Sequence, residues 1–211
     1  MVRVFILAAF GAVFAMSAVP VFTSQAAEAP AAKAAPKADP SPGPPLVAAN
    51  PDGGASLVAL IDYEDPSAQL LRDKLAAFSK SNKDIKLVVK PWASYGPLSR
   101  LSAKAAYAAE RQGKFAAFHA AIMNDPGSHT YLSLRDLSFA HGLDWDRLAK
   151  DLDDPKVGEA VDANVKLAAS LKVTSGPAFV AGTQVFNDPW NKLDFAAMAR
   201  AAKSGGAVAS K

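Results

Sequence analysis

Three constellations and one absence in the 211-residue sequence decide what chemistry it could support. The first is Asp65-Pro66-Ser67-Ala68, directly behind an apolar run that ends at Tyr63. Asp followed by Pro reads as a helix N-cap and first helical residue. The Asp65 carboxylate would accept the amide of Ser67 or Ala68, worth about 1 kcal/mol to the helix. Ser67 would be an exposed first-turn residue, and the sequence puts no base beside it to activate its hydroxyl. The second is the set His119, His129 and His141, whose scattered spacing fits no metal-ligand pattern. His119 falls among Phe115, Phe118 and Ile122 and reads as a packing residue. His129 sits in the loop 127–130, and His141 closes a helix, where a cation is favoured. The third is Gly176-Pro177, just before a short apolar run. The absence is cysteine: without it there are no disulfides, thiolate nucleophiles, zinc–thiolate sites or thiol redox cycles. Neither a metal nor a cofactor is expected.

These residues need elements to hold them, and the chain supplies those from about residue 55 onward. Ala55 to Tyr63 is short enough for a strand and too continuous for a half-exposed one, so it is expected at the centre of a sheet. Ala68, Leu71, Leu75 and Phe78 then recur at helical spacing. Ile85 to Lys90 gives a second strand, closed by Pro91, and strand–helix–strand in this order is a right-handed βαβ unit. Between Pro97 and Lys172 the pattern is helical throughout, with breaks at Gly113 and Gly142. Ser133 with Asp136 suggests a capping box for Leu134 to His141. Asp144 and Asp154 read as further caps, and Val157, Val161, Val165 and Ala168 form one stripe. Ala178 to Phe186 reads as a hairpin about Gly182-Thr183, and Asn191 to Lys203 as a final helix with a short tail after 204. Trp92, Tyr95, Trp145 and Trp190 are expected in the core or at seams, with Trp92 and Tyr95 near a rim.

Residues 1–26 read as an export signal: Arg3, the apolar run Val4 to Val19, the breaker Pro20 and the small-residue site Ser24-Gln25-Ala26. An uncleaved anchor would leave the protein membrane-attached; either way the folded part is expected outside the cytoplasm, in the periplasm. Residues 27–54, rich in Ala and Pro, read as a disordered tether. The formal charge is +3, and cleavage, which removes Arg3 and no acid, leaves +2. That weak, scattered excess gives no basic face for nucleic acid.

The order strand, helix, strand, helical insertion, hairpin, helix resembles the DsbA-like branch of the thioredoxin superfamily. The likeness runs from about Asn50 to Lys203. It is carried by Asn50-Pro51-Asp52, Ile61-Asp62-Tyr63, Gly113-Lys114-Phe115, Phe118-His119, Gly142-Leu143-Asp144 and Gly176-Pro177-Ala178-Phe179-Val180. It implies an α/β thioredoxin fold with an inserted helical subdomain at about 97–172. It also implies that Asp65-Pro66-Ser67-Ala68 occupies the place of the family's Cys-x-x-Cys active-site turn, and that Pro177 matches a cis-proline facing that turn. Gly176 departs from the larger residue usual before that proline, a Val for example, which the fold is expected to tolerate.

Thiol–disulfide exchange needs one sulfur to attack and a second to resolve the mixed disulfide. Asp65 and Ala68 offer neither, so the fold is expected without the family's redox chemistry. The function expected instead is a non-catalytic module of the cell envelope. It would hold a peptide or a partner protein between the Asp65 turn and the loop of Gly176 and Pro177, since main-chain pairing can outlive the loss of thiols. The alternative is an enzyme of another chemistry on the same scaffold, resembling kappa-class glutathione transferases or hydroxychromene carboxylate isomerases, which use Ser at the first Cys position. Here that position is Asp65, with Ser67 displaced by two. A deep apolar cavity enclosing Asp65 would favour the enzyme, and an open groove the binding module.

Overall fold

The computed structural model describes residues 46–206. The expected export signal, most of the tether and the extreme C-terminus lie outside the described residues. A five-stranded sheet runs in the order β1-β3-β2-β4-β5, formed by Leu46–Ala49, Ala55–Ile61, Ile85–Pro91, Ala178–Ala181 and Gln184–Phe186 as β1 to β5. Seven helices accompany it: α1 (Pro66–Ser81), α2 (Pro97–Glu110), α3 (Phe115–Asn124), α4 (Tyr131–Ala140), α5 (Trp145–Leu152), α6 (Pro155–Ser170) and α7 (Phe195–Gly206). Helices α2 to α6 are inserted between β3 and β4.

β2 is the central strand, parallel to β3 and antiparallel to β4. Its continuous apolar run is explained by burial on both faces. Leu57, Ala59 and Ile61 join the larger core with Leu71, Leu75 and Phe78 of α1 and Met198 of α7. Leu60 joins a smaller core with Trp92, Ala168, Val173, Ala178 and Val180. α7 closes tightly on the β4–β5 turn: a Cβ on Gly182 would lie 2.6 Å from the Ala201 carbonyl oxygen, and Gly182 has a φ of +58°. Only glycine meets both demands.

Several boundaries differ from the sequence reading. The tether does not reach residue 54, because Leu46–Ala49 pairs antiparallel with β3 and Leu46 is buried. The four residues Leu46 to Ala49, free of proline between Pro45 and Pro51, can join a sheet where the Pro-rich stretch cannot. The turn that follows is fixed by Asn50, at φ +52°, whose side-chain amide donates to the carbonyls of Ser79, Asn82 and Ile85. α4 begins at Tyr131 because Thr130, not Ser133, is its cap: the Thr130 hydroxyl accepts the Ser133 amide. α7 begins at Phe195, with Asp194 accepting the Ala197 amide, and continues past Lys203 to Gly206. On α6 the buried residue in the stripe is Asn164, while Val165 is only half-buried. Asn164 donates to the Pro91 carbonyl and to the Tyr107 hydroxyl, tying the insertion to the end of β3.

A second tie lies at the end of β2. Tyr63, fully enclosed, is hydrogen-bonded through its hydroxyl to Nδ1 of His119 on α3 at 2.9 Å, and Phe115 stacks on the same imidazole. Burial pushes the His119 pKa down from 6.5 to about 4, so the ring is neutral in the fold while the unfolded chain takes up a proton below 6.5. The unfolded state therefore binds more protons between these values, and stability falls as pH drops from 6.5 toward 4. The interval corresponds to roughly 3 kcal/mol. Urea unfolding across pH 7 to 4.5 should show this loss in the wild type and a visibly flatter profile in His119→Gln. Parallel profiles would remove His119 as the source.

Candidate functional site

The end of the sheet that carries the turn is organised by a carboxylate that the sequence reading named only within the Ile61-Asp62-Tyr63 likeness and gave no role of its own. Asp62 follows β2 and is 1% exposed. One oxygen, Oδ1, accepts the Glu64 amide at 3.0 Å. The other accepts the Ser94 amide at 2.7 Å, the Ser94 hydroxyl at 2.8 Å and the Tyr95 amide at 3.1 Å. A buried charge is tolerated when donors surround it, and here four do. The turn after β2 and the connection after β3 are thereby locked together. The available signal was an acidic residue at the end of an otherwise apolar strand.

Asp65 is the N-cap of α1, as its type and the following Pro suggest. Its Oδ1 accepts the Ser67 amide at 2.8 Å and the Ser67 hydroxyl at 2.7 Å. Its Oδ2 is buried without a hydrogen-bond partner. Ser67 is therefore half-buried and held by the cap itself, and no imidazole among the described residues reaches its hydroxyl. Pro66 is exposed, and Ala68 is buried in the core. Of the four turn residues, then, one carboxylate oxygen carries the local geometry and one is uncommitted.

The β2–β4 pairing ends at Leu60↔Ala178, so Gly176 and Pro177 lead into β4 at the end of the sheet where β2 leads out toward the Asp65 turn, and no hydrogen bond among the described residues joins the two segments. Pro177 is buried and Gly176 half-buried. The resemblance implied a cis bond here, yet no cis peptide occurs among the described residues. Gly176 turns the chain at φ +74°, a conformation open to glycine. The same φ corrects the expectation for a larger residue at this position: although no atom blocks a Cβ, Val would be strained by the backbone alone.

Around the turn, Leu70 of α1, Tyr95 and Leu98 are exposed to 53%, 53% and 36%. Tyr95 is thus on the surface and not in a seam, while Trp92 is buried. The nearby Asp65 charge, with burial and Asp62 contributing less, holds the Tyr95 phenol above its usual pKa. Glu64 reaches the other way: its Oε1 accepts the His129 amide at 3.2 Å and lies 2.7 Å from Nδ1 of the His129 ring. His129, in the loop as expected, is completely buried and through Glu64 anchors the α3–α4 loop to the turn after β2. Gln69 adds a bond to the Asp125 carbonyl. Among the described residues no group of three or more His, Asp and Glu could hold a metal. Neither a cleft lined by β1, α1 and α3 nor one lined by α1 and α7 includes Asp65, Ser67 or Pro177.

The two carboxylates should respond differently to the same isosteric change. In Asp62→Asn an amide NH2 must face at least one N–H that now donates, so the fold should lose about 1–3 kcal/mol. In Asp65→Asn the carbonyl can keep both Ser67 bonds and the NH2 replaces an oxygen that bonds to nothing. That variant should stay within about 0.5 kcal/mol of wild type, with Asp65→Ala costing about 1 kcal/mol. Equal losses for the two Asn variants in urea unfolding would contradict these hydrogen-bond assignments.

No curated protein matches the chain at a significant level. Solved structures do. A thioredoxin-like oxidoreductase from Silicibacter pomeroyi is 29% identical with a TM-score of 0.65, over 77% of this chain and 94% of that one. The thiol-disulfide exchange protein alpha-DsbA2 from Wolbachia pipientis is 20% identical with a TM-score of 0.66, over 75% and 85%. A periplasmic thioredoxin-like protein from Salmonella enterica serovar Typhimurium is 21% identical with a TM-score of 0.64, over 79% and 94%. The last two show the fold alone. The model of the DSBA-like thioredoxin domain matches residues 66–198, beginning within the turn where this chain has no thiol. With the sheet order, the inserted helices and that match together, the chain belongs to the DsbA-like thioredoxin domain family, as a member without cysteine.

Proposed function

We propose that the protein is an exported, non-catalytic binding module that holds an extended peptide or a partner protein of the cell envelope against the face bearing Asp65 and the Gly176-Pro177 segment. The observation that carries this reading is a turn held by its own hydrogen bonds at the place where the resemblance puts the family's thiols. Asp65 takes over the cap, Asp62 fixes the neighbouring loop, and exposed Leu70, Tyr95 and Leu98 flank the turn. A surface of this kind offers apolar anchors with a polar centre, the composition of recognition sites. Chemistry offers less: no residue of this chain can form a mixed disulfide. The enzyme alternative is less favoured because Ser67, its candidate hydroxyl, is held by the Asp65 carboxylate and not by an imidazole base. Export to the periplasm rests on the signal-like residues 1–26. Among the described residues no helix is long and apolar enough to cross a membrane.

A photo-crosslinking amino acid in the full-length chain tests the face directly. At Tyr95 or Leu98 it should trap the same envelope protein or peptide, and at Glu159, on exposed α6 surface, it should not. The purified partner should then bind Tyr95→Ala at least tenfold more weakly, with Tm unchanged. Crosslinks that are equally strong at Glu159, or undiminished affinity in Tyr95→Ala, would move binding off this face. In parallel, the wild type should reduce no insulin and oxidise no dithiol above buffer. The double variant Asp65→Cys with Ala68→Cys should gain a pair able to form a disulfide; thiols that stay unreactive would mean the turn does not hold the family geometry.

A further inference from the structure

One concavity lies away from the turn. Between β1, α1 and α3 there is a cleft of about 410 Å³, within the range of ~300–1,000 Å³ typical of small-molecule sites. It exists because the three elements meet through small residues: Ala48 and Ala49 on β1, Ala76 on α1, and Ala116 and Ala120 on α3. Larger side chains there would close it. Leu75, Leu87 and Met123 complete an apolar lining.

Two polar groups in that lining are not used by the fold. The Ser79 hydroxyl is buried and has no hydrogen-bond partner, an unusual state for a buried polar atom, and Ser79 is 8% exposed. His119 spends Nδ1 on Tyr63, and its Nε2 makes no hydrogen bond among the described residues. The ring is neutral in the fold, so it offers a hydrogen bond and no charge. At the mouth, Arg72 and Asp73 are paired with each other at 2.9 Å, which leaves no net charge to select an ion. Apolar walls, two idle neutral hydrogen-bonding groups and a cancelled charge at the entrance specify one kind of occupant.

We propose that this cleft binds a small uncharged amphiphile: a molecule with an apolar body and a hydroxyl, carbonyl or amide group that meets Ser79 or His119. The site is separate from the Asp65 face and does not rest on the peptide-binding reading. N-phenyl-1-naphthylamine is a suitable probe, being neutral, apolar and equipped with one N–H. Added to the full-length chain, it should show a saturable fluorescence rise with a stoichiometry of one. Ala120→Leu, at a position exposed enough to accept the side chain, should weaken binding at least tenfold without lowering Tm. Ser79→Ala should weaken it severalfold. The double variant Leu132→Ser with Phe139→Ser removes exposed apolar side chains on α4 and should bind as wild type does. The proposal is overturned by a non-saturable signal, by Ala120→Leu binding as tightly as wild type, or by loss of binding in the α4 variant, which would place the probe on that surface.

Discussion

A charged group withdrawn from water at the end of the central strand sets the architecture of the end of the sheet that carries the Asp65 turn. Asp62 has no cation beside it in the hydrogen-bond pattern; backbone amides and one hydroxyl surround it instead. Such a group tolerates little displacement, since each donor lost leaves a buried charge less well compensated. The loops leaving β2 and β3 must therefore keep one mutual arrangement. Asp65 begins α1 from that fixed turn, Tyr95 stands on the fixed loop, and Glu64 extends from it to hold His129 in the helical insertion. None of this frame depends on sulfur, so a chain without cysteine can hold it.

The regular parts of the fold were legible because their signals are local. A doubly buried strand is continuously apolar, as in Leu57 to Ile61, and a helix start such as Asp65-Pro66 or Asp154-Pro155 advertises itself by residue type. The failures came where a local signal had a competitor. Thr130 and Ser133 both carry capping hydroxyls three residues apart, and only the fold decides which one closes the helix. Leu46 to Ala49 is too short to stand out beside a Pro-rich stretch, and it becomes a strand only because β3 offers it an edge. Asn164 looks like a polar interruption in a helical stripe until the Pro91 carbonyl and Tyr107 hydroxyl appear opposite.

The site was legible in outline and not in its wiring. The cap role of Asp65 follows from one residue and its neighbour. By contrast, Asp62 with Ser94, and Glu64 with His129, join residues 32 and 65 positions apart, and nothing in the spacing of those residues announces the pairs. The geometry of Gly176 was missed for a different reason. The expected conformation at Pro177 came from the resemblance, whereas glycine there adopts a positive φ of 74° that other residues rarely take.

The antiparallel direction of β1 has a further consequence. β2 and β3 both run toward the end of the sheet that carries the turn, whereas β1 runs away from it, with Leu46 level with Val89 and Ala49 level with Leu87. The chain upstream of Leu46 thus joins the domain at the same end as Asp65, two strand spacings from β2, or about 10 Å. A ligand fused directly ahead of Leu46 would start from the end of the sheet that carries the turn. Its encounter with the site is governed by an effective concentration that the linking residues set, and dilution of the protein in its compartment leaves it unchanged.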